Sequence, residues 1–302
     1  MRRLELLIEQ ARRATENAGT AISDEEFVQY FNDAQEKLQT LIQNEHPESD
    51  FFAREGYLSM VSSQETYPLA TLVNESLVPF RSHIFAKNAI SLVERTEGNS
   101  YYPLKMISNR ERRYGFGYIV RDSDIMISPI PSSPVGLGLR VTYTETLPSL
   151  DVRRAQVNGL PVGNVITYDN AISGLDFTKN DGFITVVDSL GNIKASDLQI
   201  VSTGVLTVTV SPVNASDVAA IADNDWIVFG AWSTTHSRLP NVCEKYLLAY
   251  TQRKIFMRDS STDASMQDTE MKEMQADLVE LFADNANDAT HVPIGSTDYM
   301  LW

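Results

Sequence analysis

One cysteine, Cys243, stands in 302 residues. That excludes an intramolecular disulfide framework and any metal site built from several cysteines of one chain, and it fits assembly in a reducing cytoplasm. Histidine is almost as scarce. His46, His83, His236 and His291 are far apart, and none stands at a zinc-type spacing from another or from Cys243, so no metal, cofactor or histidine-based catalytic site is expected. Long apolar runs are missing: nothing approaches the roughly 18 residues of a membrane span, and the opening MRRLELLIEQARR lacks the continuous apolar core of a signal peptide. Positive charge is also short. Lys+Arg of 25 against Asp+Glu of 40 gives −15, so the overall field opposes nonspecific attachment to DNA or to anionic lipid and argues against a DNA-binding regulator. No repeat of solenoid period is found, and the stretch from Asp259 to Asp288 is acid-rich, with Lys272 its one Lys or Arg.

What is present is an ordinary globular composition, 43% hydrophobic, enough for one large core or two modest ones. Leu4, Leu7, Ile8, Ala11 and Ala18 share one face of a 3.6-period helix from about Arg2 to Ala18, with Gly19 available to end it. A second helix opens on a capping box, Ser23 with Glu26, beside an Ile22–Phe27 staple. Its stripe continues through Tyr30, Phe31, Ala34, Leu38, Leu41 and Ile42, and Pro47 stops it near His46. Near the other end, Pro240 suits the first turn of a helix through VCEKYLLAYTQRKIFM, apolar on a wide arc. Met271, Met274, Leu278, Leu281 and Phe282 then make a last helical stripe ending near Asp284.

Between the helices the chain reads as strands. Leu69 to Val73 is one candidate; Ile84 to Val93 is another, either strand or short helix. From about Asp151 to Trp232 the texture turns rich in Val, Ile, Thr, Asn and Gly. Strand-like runs fall at Val165 to Tyr168, Phe183 to Val187, Leu198 to Val201, Val205 to Val210 and Trp226 to Phe229, with turns at Asn180-Asp181-Gly182 and Leu190-Gly191-Asn192. This spacing predicts a small sandwich or barrel.

The stretch from Tyr114 to Pro148 carries the most specific order. Tyr118 to Arg121 and Ile125 to Ser128 flank the polar Asp122-Ser123-Asp124, a hairpin pattern. Pro129, Pro131 and Pro134 end that ladder, and Leu139, Val141 and Tyr143 then alternate with Arg140, Thr142 and Thr144. An aromatic-rich hairpin, a Pro-x-Pro step, a Val-x-Tyr strand and a later Leu239-Pro240 opening a helical hairpin resemble the head-to-tail adaptors of tailed bacteriophages. The likeness is to the portal-bound connector ring proteins of short-tailed phages (tail tubular protein A-like), over about residues 20 to 150 and 236 to 285.

The resemblance implies a non-enzymatic structural virion protein in the neck, assembled in the host cytoplasm. It implies a ring, usually of twelve copies, that sits beneath the portal protein, carries the tail or nozzle protein, and lets double-stranded DNA pass without sequence-specific binding.

Several constellations have plain readings. Cys243 on a buried helix is a small packed hydrophobe. Gly136-Leu137-Gly138 lacks the third glycine and the following helix of a dinucleotide loop. Asp122/Asp124, Asp176/Asp181 and Asp223/Asp225 suit strand-joining turns rather than a calcium loop or carboxylate pair.

Two features invite partners. Lys105, Arg110, Arg112, Arg113 and Arg121 face only Glu111 within their stretch, with Tyr114, Phe116 and Tyr118 close by. They can meet DNA phosphate or a neighbouring subunit, and the repulsion among copies of charge −15 favours the subunit. Tyr299, Met300, Leu301 and Trp302 put four large side chains at the end of a polar segment, and the adaptor resemblance favours docking of that arm into the portal.

The expected architecture is α+β: a helical bundle formed by N- and C-terminal helices, a β-rich central part, and an inserted small β-sandwich or barrel. Residues 1–150 form the adaptor core, 151–235 the inserted β-domain, 236–285 the C-terminal helical hairpin and 286–302 an extended arm. The rival function is a virion carbohydrate- or receptor-binding protein using the inserted β-domain, with Tyr168, Phe177 and Trp226 as available aromatics.

Overall fold

The computed structural model describes residues 2–15, 22–45, 50–73, 85–97, 100–111, 115–121, 124–169, 177, 182–212, 215–258 and 264–289. The architecture is α+β, with helices from both ends of the chain and a β-rich middle that includes a closed six-stranded barrel. The chain divides into two compact units, Met1–Glu48 with Leu147–Trp302, and Ser49–Thr146. This division places the barrel and the helices in one unit, whereas the sequence grouped residues 1–150 together.

The first unit begins with α1 (Leu4–Ala14) and α2 (Asp24–Glu45). Helix α1 buries Leu4, Leu7, Ile8 and Ala11. It stops four residues before the expected Ala18, where the Thr15 hydroxyl and N–H both turn back onto the Ala11 carbonyl; Gly19 lies outside the described residues. Helix α2 has the expected capping box. Glu26 N–H donates to Ser23 Oγ and Ser23 N–H to the Glu26 carboxylate, and Arg258 beside that carboxylate holds its pKa low.

Among its described residues the second unit holds eight strands: β1 (Ala53–Met60), β2 (Thr66–Pro68), β3 (Phe85–Glu97), β4 (Ser100–Pro103), β5 (Lys105–Met106), β6 (Gly117–Arg121), β7 (Asp124–Ser128) and β8 (Val135–Glu145). They form two sheets, β1-β8-β3-β4 and β2-β7-β6-β5. One apolar core draws on both, with Leu58, Tyr67, Val93, Tyr118, Ile125, Ile127, Leu139 and Val141 among its members. The alternation of β8 places Leu139, Val141 and Tyr143 inside. Arg140, on the other parity, lies opposite both Tyr57 and Glu94 and is held by the Glu94 carboxylate and the Tyr101 ring. The hairpin of β6 and β7 is formed as its pattern predicts, and the run expected from Ile84 to Val93 is strand from Phe85 onward, as part of β3, with Ile84 outside the described residues.

One strand expectation is overturned. Leu69 to Thr71 is a 3-10 turn, closed by Leu72 N–H on the Leu69 carbonyl and by the Thr71 hydroxyl on Pro68. The turn lets Leu72 drop into the core, leaving Val73 a single bridge to Tyr57.

The first unit resumes with β9 (Ser149–Leu150), then β10 (Ala155–Val157), β11 (Val165–Asp169), β12 (Phe183–Val187), β13 (Ile193–Thr203), β14 (Thr207–Ser211), α3 (Ala215–Ala219), β15 (Trp226–Phe229) and β16 (Ser233–Thr234). The barrel runs β10-β11-β14-β13-β12-β15 around Val157, Ile166, Ile184, Val186, Leu198, Val208, Val210 and Ile227. Strand β14 starts two residues later than its apolar run, because Gly204 N–H donates to the Thr207 carbonyl and turns Val205 and Leu206 outward. The five-residue α3 has no sequence signal.

Two helices complete the unit, α4 (Glu244–Arg258) and α5 (Ala264–Ala289). Pro240 precedes a 3-10 turn, Asn241–Cys243, and so stands outside the helix in which it was expected. Helix α4 contacts α1, α2 and α5 and buries Tyr246, Leu247, Leu248, Tyr250, Thr251 and Ile255. Helix α5 buries Met271, Leu278 and Phe282 and continues past the expected Asp284 to Ala289. No helix among the described residues is long and apolar enough to cross a membrane.

Candidate assembly surfaces

The basic cluster begins on β5. Lys105 pairs in parallel with Gly117 of β6, and a Cβ at 117 would lie 2.1 Å from the Lys105 carbonyl oxygen. Glycine is therefore what lets the two backbones meet. Beyond β5 the chain is pinned by Glu111, whose carboxylate accepts both Ser108 N–H and Ser108 Oγ; these bonds hold its pKa low. Lys105, Arg110 and Arg121 are all exposed. No ion pair joins Arg110 or Arg121 to an acidic side chain among the described residues, while Arg112, Arg113 and Tyr114 lie outside them.

The aromatics expected beside these cations divide. Phe116 is 56% exposed, with the Arg95 guanidinium 6.0 Å from its ring centre, and Met106 nearby in the chain pairing is exposed as well. Tyr118 is buried in the apolar core, and burial raises its phenol pKa. It is thus removed from any phosphate-facing role.

In the other unit, α2 carries three amides that grip the returning chain. Asn32 exchanges two hydrogen bonds with the backbone of Leu150, Gln35 donates to the Pro148 carbonyl, and Gln39 accepts from Leu147 N–H. Ser237 closes the set through a 2.6 Å bond to Gln35 Oε1. Just beyond, buried Asp151 takes both Arg154 nitrogens and the Phe229 N–H. Burial pushes the Asp151 carboxyl up, and Arg154 pulls against that shift. These residues fasten the barrel entrance to the helices, and sequence inspection found none of them.

The remaining titratable candidates have structural roles. Cys243 is fully buried and desolvation pushes its thiol up to about 12, so no thiolate forms near neutrality. His236 is half-buried. Desolvation and nearby Arg153 lower its pKa, its Nδ1 meets Thr235 Oγ1, and its ring lies so close to Gly191 that a Cβ there would fall 2.5 Å from Nδ1. Asp223 and Asp225 accept turn N–H groups of Gly159 and Ala222. Among the described residues no group of three or more His, Cys, Asp or Glu is arranged to hold a metal ion. His46, His83, His291, Asp122, Asp176 and Asp181 lie outside the described residues, as do Tyr299, Met300, Leu301 and Trp302.

Of the aromatics offered for a glycan site, Tyr168 and Phe177 meet at a tilt and Phe177 meets Phe229 edge-on, against the barrel core. Trp226 has Arg153 over its ring at 4.4 Å. Exposed apolar side chains of the barrel include Leu160 and Val162 before β11 and Val205 and Leu206 before β14, together with Leu190 before β13 and Val201 on β13. The β11–β14 register, with Val165 opposite Thr209 and Thr167 opposite Thr207, puts the loops before β11 and β14 at opposite ends of that strand pair.

A shallow groove is cut between the start of α4 and the middle of α5. It has a volume of about 390 Å³ and is lined by Val242, Lys245, Tyr246, Met274, Asp277, Leu278 and Leu281. Leu281, expected in the packed stripe, is 39% exposed at its edge.

No protein-family model matches the chain, and comparison with curated proteins finds no relative.

Proposed function

We propose that this protein is a structural head-to-tail adaptor of a tailed bacteriophage, a ring-forming subunit that joins the portal to the tail or nozzle and surrounds the passing DNA in the virion neck. The observation that carries the reading is the exposure of Lys105, Arg110, Arg121 and Phe116 on a chain of net charge −15. A protein that repels its own copies needs cationic surface reserved for them if they are to gather. The β6–β7 hairpin, the β8 strand and the paired helices α4 and α5 supply the order on which the resemblance to adaptors rests. A ring, taken here as twelve copies, would turn modest contacts to portal, neighbour and tail into a stable joint through effective concentration. The reading assigns no catalytic step and no cofactor.

Electron microscopy of the purified protein mixed with its portal tests this reading. Rings seated on the portal are the expected result; discrete copies bound to glycan or cell surface instead would favour the receptor-binding alternative.

A further inference from the structure

We infer that the α4–α5 groove receives the Phe116 region of a second copy, so that successive subunits join head to tail; the inference rests on the reading that copies gather into a ring. The groove has apolar walls in Val242, Met274, Leu278 and Leu281 and a volume within the range of sites that take up a side chain or small ligand. On α5, Glu273, Asp277 and Glu280 follow at i, i+4 and i+7, which places them along one face beside that groove. All three are exposed, and no ion pair joins them to a basic side chain among the described residues. Like charges at these spacings repel within the helix. The sequence of α5 sets seven acids against Lys272 alone, and Lys245 at the groove leaves that excess standing.

The second unit offers the complement. Phe116 is an exposed ring, and Lys105, Arg110 and Arg121 in the same stretch are exposed cations. An aromatic anchor in a cationic stretch fits an apolar groove with carboxylates along its α5 side, and aromatic and arginine side chains dominate the energetics of such contacts. DNA is a poor occupant of a groove flanked by the acidic face of α5. Because the two surfaces differ, the contact is heterologous: it repeats from copy to copy and closes into a ring when the rotation allows.

Disulfide trapping tests the contact. Met106→Cys on β5 and Lys245→Cys at the groove are made separately, so that Phe116 and the apolar walls stay in place, then mixed at high concentration in low salt and mildly oxidised; native Cys243 is fully buried and does not compete. A linked heterodimer is expected from the mixture and no homodimer from either variant alone. Its yield should fall with salt and drop about tenfold when the Lys245→Cys copy also carries Asp277→Lys and Glu280→Lys. Adding Arg110→Glu and Arg121→Glu to the Met106→Cys copy should restore it. Absence of the heterodimer, equal homodimer yields, or indifference to salt and charge reversal would overturn the contact. Rings on the portal without the heterodimer would leave the adaptor reading standing and remove this interface; the heterodimer without rings on the portal would do the opposite.

Discussion

Asn32 and Leu150 meet as two strands would: Asn32 Nδ2 donates to the Leu150 carbonyl at 2.9 Å and Leu150 N–H donates to Asn32 Oδ1 at 2.6 Å. A helix side chain here serves as the ladder partner of β9, and Gln35 and Gln39 extend the grip to Pro148 and Leu147. Chain entering the first unit from β8 is thereby fixed to α2 before the barrel begins.

Replacing Asn32 with Ala should destabilise the protein by about 1–3 kcal/mol, because both backbone groups of Leu150 lose their partner in a half-buried setting. Gln35→Ala should cost a similar amount, since it strands the Pro148 carbonyl and the Ser237 hydroxyl together. Urea unfolding of each variant measures this. A loss within a few tenths of a kcal/mol would mean that water replaces the amides freely.

The strands that were legible from sequence are those with an uninterrupted apolar or alternating pattern. Phe183 to Val187 and Trp226 to Phe229 coincide with β12 and β15, because their register is fixed by a buried face. Side-chain hydrogen bonds decided the places that differ: Thr15 ends α1 early and Thr71 turns a supposed strand into a 3-10 turn. The end of α5 was hidden for another reason, since beyond Phe282 no apolar stripe marks the helix. Composition alone revealed the basic cluster. The α4–α5 groove could not be read the same way, because Val242 and Leu281 are 39 residues apart and only helix packing brings them together.

Gly117→Ala should disrupt the basic surface through the backbone. A methyl group 2.1 Å from the Lys105 carbonyl oxygen forces β5 away from β6. An overpacked contact of this kind costs about 1–3 kcal/mol. Denaturant unfolding should show the loss, and hydrogen exchange should speed at Ile107, whose N–H donates to the Tyr118 carbonyl just past the β5–β6 pairing. Unchanged protection there would mean that the strands separate without consequence.

His236 gives the first unit an acid-sensitive contact. Burial, with Arg153 and Arg3 nearby and only Glu5 opposing, lowers its pKa from 6.5. Between the lowered value and 6.5 the unfolded chain binds more protons than the folded one, so stability falls as pH drops through 6.5 and levels off below the folded value. His236→Gln should remove this component. The urea midpoint of the wild type should therefore decline more than that of the variant between about pH 7.5 and pH 5.5; parallel declines would show that the imidazole titrates alike in both states.

The last prediction concerns the chain beyond Ala289, where α5 ends. Truncation after Ala289, or Leu301→Ser with Trp302→Ser, should leave the fold intact, because the apolar stripe of α5 has no large side chain after Phe282 and the segment that follows is mostly polar up to its end. Portal attachment should weaken, since aromatic and aliphatic anchors are typically worth ~2 kcal/mol or more each and a ring multiplies the loss through every copy. Pull-down on the portal and a melting curve of the free protein separate the two roles. Unchanged binding with a lowered melting temperature would show that Tyr299, Met300, Leu301 and Trp302 pack on their own subunit instead of docking in the portal.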